Sequence, residues 1–268
     1  GVQTCALPIS FGRIVRNGHL YKGAKPVHWC LDCRSALAEA EVEYEDKTSP
    51  AVDVAFAVKD SADLSQRLQL SGGTASLGGV APALVIWTTT TWTLPANEAV
   101  ALGADIDYVL LAIPTQGDFA ARILVLAEAL VAACAARYGF DAASAKILAR
   151  FKGQALEHLV LQHPFLEREV RVIVGEHVTL DAGTGAVHTA PAHGQEDFAV
   201  GQRYGLPVNN PVGGDGKFLP GTPFVEGLKI DEANPKLIDL LQARGALLRH
   251  APYGHSYPHC WRHKSPRS

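Results

Sequence analysis

Apolar and polar positions alternate through "AVDVAFAV" (Ala51 to Val58), and a period of two predicts a strand with one buried face. Further strands are predicted over "ALVIWTTTTW" (Ala83 to Trp92), stopping at Leu94-Pro95, over "YVLLAI" (Tyr108 to Ile113) and over "RILVLA" (Arg122 to Ala127). "EVRVIVGEHVTL" (Glu169 to Leu180) reads as two short strands around Gly175. Helical spacing appears in "EALVAACAARYG" (Glu128 to Gly139), which places Cys134 in the core and ends on a glycine. "GQALEHL" is a short helix candidate, and Gln195-Glu196-Asp197 opens another with Asp197 in its first turn. "NPKLIDLLQARGAL" predicts a helix capped by Asn234, with Pro235 at its first position and a stop at Gly245. Strands outnumber helices without alternating with them. That favours one main mixed α/β domain, a sheet or barrel with helices outside, over a doubly wound nucleotide fold.

Composition narrows the class. A hydrophobic content of 47% with 19% charged residues is ordinary for a globular protein, and a net charge of −3 leaves any RNA contact to a local patch. No window approaches ~18 uninterrupted apolar residues, so no membrane span is expected. Five cysteines do not suggest a disulfide scaffold, and a reducing cytoplasm is the simpler setting. The chain holds no methionine, and "GVQTCALPI" (Gly1 to Ile9) reads like a translated sequencing adapter. Residues 1–9 are therefore set aside from fold reasoning, Cys5 with them, and Arg267-Ser268 shares that suspicion.

Two constellations could carry chemistry. Cys30-x2-Cys33 and Cys260-x2-His263 each match half of a tetrahedral structural zinc site, with His259 an alternative to His263. Each pair could equally be an unrelated turn, because the knuckles lie at opposite ends of the chain. Such a site would be closed, stapling the chain rather than catalysing. The second is "LDAGTGAVHTAPAHGQEDF" (Leu180 to Phe198), where Gly183, Gly185 and Gly194 let backbone approach a ligand. Asp197 fits a helix dipole and could equally bind a substrate ammonium group. His188 and His193 form no H-E-x-x-H pair, and no G-x-S-x-G elbow occurs. Hydroxyls, a histidine and a carboxylate are offered without a nucleophile.

"GAKPVHWCLDCRSALAEAEVEY", "WTTTTWTLPAN", "GTGAVHTAPAHGQEDF" and "HSYPHCWRHKSP" together resemble the editing domain of bacterial isoleucyl-tRNA synthetases, from about Phe11 to Pro266. The valyl and leucyl relatives carry an arginine in the threonine segment, which makes the isoleucyl match specific. The resemblance implies a β-barrel-like editing domain with peripheral helices over 46–250. It also implies a catalytic-domain stub with one knuckle half over 10–45, and the second half with the return to the catalytic domain over 251–268. It further implies hydrolysis of mischarged Val-tRNA(Ile) by water attack on the aminoacyl ester, without a covalent intermediate. Thr88, Thr89, Thr90 and Thr93 would line the pocket, Asp197 would pair with the ester's α-amino group, and His188 would exclude isoleucine. Trp92, Asn97, Gly183 and His193 would flank it as binding residues. The expected partners are the tRNA(Ile) 3′ end and the valine or isoleucine ester, in a cytoplasmic monomer.

Two positions depart from the family, which usually has proline at Thr91 and glycine at Ala192. Neither the His-x-Gly-His nor the Lys-Met-Ser-Lys-Ser motif is present, so ATP and Mg2+ are expected only in the intact ligase. Two other readings compete: a zinc-stapled RNA-binding module without catalysis, and a free-standing deacylase acting in trans.

Overall fold

The computed structural model describes residues 2–20, 22–117 and 119–264, with side chains from residue 7 onward. The expectations touching Gly1, Tyr21 and Ser265 to Ser268 lie outside the described residues. The strands are β1 (His28–Cys30), β2 (Ser35–Leu37), β3 (Val42–Val58), β4 (Pro82–Thr88), β5 (Ala99–Leu102), β6 (Asp107–Ile113), β7 (Arg122–Ala127), β8 (Lys146–Lys152), β9 (Val160–Gln162), β10 (Glu169–Val174), β11 (Ala186–Thr189) and β12 (Leu247–Cys260). The helices are α1 (Val2–Arg16), α2 (Ser61–Arg67), α3 (Val131–Tyr138), α4 (Gln195–Tyr204) and α5 (Ile230–Ala243).

Among the described residues the main sheet runs β11-β5-β10-β9-β3-β4-β7-β6-β8, with β12 paired to β3. It is mixed: β4 with β7 and β5 with β10 are parallel, the remaining pairs antiparallel. Its path ends at β11 and β8, so the sheet does not close into a complete barrel, in broad agreement with the barrel-like architecture expected. The apolar runs of β6 and β7 are buried nearly throughout, and they pack with Val54, Phe56 and Leu84 into one core. Such continuous runs mark strands covered on both faces. The positions flagged in α3 behave as expected, with Cys134 buried and Gly139 ending the helix at φ +79°.

Four element predictions need correction. The threonine run is not one strand, because β4 ends at Thr88 and a 3-10 turn spans Thr91–Ala96. The Thr88 hydroxyl accepts from the Thr90 amide at 3.1 Å, offering the backbone a turn in place of a ladder partner. No second strand follows Gly175: its amide still donates to Leu102 O at 2.9 Å, but β5 ends at Leu102 and offers the chain no further ladder. "GQALEHL" supplies only a 3-10 turn over Gly153–Leu156, closed off by His158 at φ +67°. Helix α5 begins at Ile230, ahead of Asn234 and Pro235, because the Glu232 carboxylate accepts from the Lys229 amide.

Strand β3 also starts well before Ala51. Its polar first half pairs with β12 in a long ribbon, register Ala51↔Ala251 through Val42↔Cys260. That ribbon carries the end of β12 back toward the knuckle that precedes β3.

Candidate active site

The threonines are wired to one another rather than simply displayed. Oγ1 atoms of Thr88 and Thr90 hydrogen-bond at 3.1 Å. The Thr90 carbonyl accepts from both the Thr93 amide (3.1 Å) and the Thr93 hydroxyl (2.8 Å). Thr89 and Thr90 stay partly open to solvent while Thr88, Thr91 and Thr93 are buried. Hydroxyls thus serve where Val or Ile would leave this turn without acceptors.

Strand β11 brings His188 against this turn. Its Nε2 lies 2.9 Å from Thr93 Oγ1, and its Nδ1 lies 2.7 Å from Asn97 Nδ2. Burial drives the imidazole pKa down to about 3, so the ring is neutral. Asp197, in the first turn of α4, accepts from the Ala190 amide at 2.8 Å. Burial raises its carboxyl to about 6, a pull that the Ala190 hydrogen bond only partly offsets. His193 closes a turn back to Ala190 and sets its ring 5.1 Å from that of Trp92, edge to face. The chain of contacts Trp92, His193, Ala190, Asp197 therefore links the threonine turn to the carboxylate. Burial lowers His193 to about 4.

Among buried side-chain polar atoms without a partner are Thr91 Oγ1, Asn97 Oδ1 and His193 Nε2. Unmade hydrogen bonds of this kind cluster where a ligand or water is to be bound. At Thr91 the orphan has another reading, because the residue opens the 3-10 turn, where a proline is well accommodated. Thr91→Pro is expected to stabilise the fold by about 0.4–1 kcal/mol, since it stiffens the unfolded chain. A lower midpoint in urea would show that the Thr91 amide or hydroxyl is needed after all.

Gly183 packs against the residue that leads into the threonine run. At φ +82° it packs under Trp87, where an added Cβ would lie 3.2 Å from the Trp87 Cβ, and it lines a cavity of about 250 Å³ with His177 and Asp181. Its carbonyl accepts from Arg137 (3.0 Å), which also holds buried Asp53 through two hydrogen bonds of 2.8 and 3.0 Å. Burial pushes the Asp53 carboxyl up against the pull of Arg137. No motif singles out this pair, although a lone carboxylate inside "AVDVAFAV" is its signal in the sequence. A larger groove of about 460 Å³ lies behind Pro95, lined by Arg168, Asn209 and Pro211 among others.

The two knuckles do meet. Ligand atoms of Cys30, Cys33, Cys260 and His263 all lie within 4.8 Å of one another. The separations include Cys33 to Cys260 at 4.0 Å and His263 Nδ1 to Cys30, Cys33 and Cys260 at 3.9, 3.2 and 4.0 Å. Four donors on arms of ~2.3 Å at tetrahedral angles stand about 3.8 Å apart, so the set fits a metal ion. His259 is turned away, its Nδ1 2.8 Å from the Tyr257 carbonyl. Backbone hydrogen bonds at His263 and Arg262 hold the Cys260 thiol below its ordinary range, whereas burial and the neighbouring thiols push Cys33 up to about 11, so a metal ion is what would bring both to thiolates.

Geometry of this kind defines a class before it defines a member. The fold is that of leucyl-tRNA synthetase editing domains: the P. knowlesi cytosolic domain superposes with a TM-score of 0.58 at 12% identity, covering 78% of this chain and 97% of that one. The family described as tRNA synthetases class I (I, L, M and V) matches residues 4–238, and the chain belongs to it. Within that family it is similar to isoleucine–tRNA ligases. The Alkalilimnicola ehrlichii enzyme is 58% identical over 257 residues, and the Methylococcus capsulatus enzyme is likewise 58% identical over 257. Both alignments take in 96% of this chain but only 26% of the relative, so the chain spans about a quarter of the length of these ligases.

Proposed function

We propose that this chain is the editing portion of an isoleucine–tRNA ligase and hydrolyses valine wrongly esterified to the 3′ end of tRNA(Ile). Water adds to the ester carbonyl carbon, the ribose hydroxyl leaves with a proton, and free valine and intact tRNA result. The observation that carries this reading is the state of His188. Both ring nitrogens are engaged, by Thr93 and Asn97, and burial keeps the ring neutral, so it has no free site with which to activate a nucleophile. Hydrolysis then rests on a water held by the threonine hydroxyls and on orientation of the ester. Asp197, ionised above its pKa of about 6, would take the α-ammonium group, and His188 would bound the side-chain pocket.

The need for a second pocket is physical. One methylene in an apolar site is worth only ~1–3 kcal/mol, for which isoleucine against valine is the standard case. Incubating the chain with Val-tRNA(Ile) and Ile-tRNA(Ile) tests the reading: selective loss of valine is expected. Tight tRNA binding without turnover would instead make it a binding module. ATP-dependent attachment of isoleucine would belong to the intact ligase.

Cys30, Cys33, Cys260 and His263 would hold zinc. The ion would supply a closed tetrahedral cross-link and no reactive position. Its removal is expected to loosen the small β1–β2 sheet and the end of the β3–β12 ribbon while sparing the main core, in which these residues take no part. One metal per chain by elemental analysis, and hydrogen exchange that quickens on chelation in 28–44 and 255–264 alone, would bear this out. Exchange unchanged by a chelator would rule out the cross-link.

A further inference from the structure

We propose that Asn97 is a positioning residue: its side-chain amide fixes His188 as the Nε2–H imidazole and thereby holds the Thr93 hydroxyl in one orientation. This rests on the editing function proposed above and adds to it a residue that need not touch substrate. Expected from sequence to line the binding site, Asn97 is fully buried, at 0% exposure.

The direction of every hydrogen bond follows from one carbonyl. Asn97 Nδ2 lies 2.8 Å from Ala99 O and 2.7 Å from His188 Nδ1. Flipping the amide would set two oxygens against each other, so Nδ2 faces both partners and donates one hydrogen to each. His188 Nδ1 must then accept, and a neutral ring carries its proton on Nε2. That proton is donated to Thr93 Oγ1 at 2.9 Å. The Thr93 proton goes in turn to Thr90 O at 2.8 Å. The remaining lone pair of Thr93 therefore has a single direction, as a group meant to orient a water or an ester requires.

The Asn97 main chain is held as well, through its backbone carbonyl. Asn97 O accepts from Arg168 Nη1 at 2.7 Å, and Arg168 pairs with Glu98, which also accepts from Asn209. Packing alone does not explain an asparagine here. Its Oδ1 is buried without a partner, which costs ~1–3 kcal/mol, and a leucine of similar shape would avoid that cost. What leucine lacks are the donors to Ala99 O and to His188, and only the second reaches the site.

The test uses the whole chain with 15N-labelled histidine. Nitrogen shifts are expected to show His188 protonated at Nε2 in the wild type. Asn97→Asp, which offers an acceptor in place of the donor, is expected to move the proton to Nδ1 or charge the ring. Asn97→Leu should leave the proton unassigned between the two nitrogens. In both variants the ratio of Val-tRNA to Ile-tRNA deacylation should fall about tenfold or more, as for a misaimed catalytic group. A wild-type ring protonated at Nδ1 overturns the proposal whatever the variants do. So does an Asn97→Asp protein that keeps both the Nε2–H ring and the wild-type ratio. Should the wild type cleave neither ester, the editing function fails, while the wild-type tautomer still shows whether Asn97 sets the ring.

Discussion

Asp197→Asn is expected to cut Val-tRNA deacylation about a hundredfold or more while making the folded chain more stable. The loss follows from the charge the carboxylate is proposed to meet, since truncating one partner of a buried, hydrogen-bonded ion pair costs about 2–5 kcal/mol. The gain follows from the same burial. The carboxyl is raised from 3.8 to about 6, so its folded pKa exceeds the unfolded one. A group shifted in that sense favours folding fully below the unfolded pKa, and the contribution disappears as pH rises through the folded pKa. Above pH 6 the ionised carboxylate therefore strains the fold, by about 2–3 kcal/mol at most.

An asparagine can still accept from the Ala190 amide and carries no charge to desolvate. Its advantage in melting temperature should be several degrees at pH 8 and should vanish by about pH 4. Wild-type deacylation should itself decline as pH falls through about 6, where the carboxylate is lost; ammonium binding would draw that value lower still. A variant of wild-type activity would remove Asp197 from the site, and one uniformly less stable than wild type would refute the desolvation argument. The site is then one where function is kept at the expense of stability.

The parts of the fold that were legible share one property: their pattern is local. The runs of β6 and β7, the glycine that stops α3 and the acidic first turn of α4 all declare themselves within a few residues. The ribbon does not. The first half of β3 is polar, Pro50 pairs with Pro252, and only a partner some two hundred residues away makes a strand of it. For the same reason the sequence offered two knuckles but could not join them; the ribbon does the joining. In α5 the proline signal at Pro235 was outweighed by burial of Ile230, Ala233, Leu237 and Leu241, an apolar face that begins before it.

In the candidate site, residue types were legible and their wiring was not. A threonine run reads as a lining, yet most of its hydroxyls close a turn, against which His188 and Asn97 then pack and hydrogen-bond.

His188→Ala is expected to bring Ile-tRNA deacylation within about tenfold of the Val-tRNA rate, erasing most of the pocket's selectivity. A wall excludes an extra methylene only if it cannot yield, and His188 is built not to yield. It is buried, uncharged, and hydrogen-bonded at both nitrogens to Thr93 and to an asparagine held in place by Arg168. Removing the ring opens space and leaves the Asn97 donor without one of its acceptors, which should cost ~1–3 kcal/mol of stability. Val-tRNA turnover should fall less than the Ile-tRNA rate rises, because Thr93 keeps its bond to the Thr90 carbonyl. The Asn97→Leu change supplies a control. If Asn97 acts through the imidazole, adding it to His188→Ala should change the valine-to-isoleucine ratio no further, whereas independent action would make the two losses multiply. Single-turnover rates on both esters for the four proteins of this cycle decide the matter, and an alanine variant that still spares Ile-tRNA would end the role of His188 as the excluding wall.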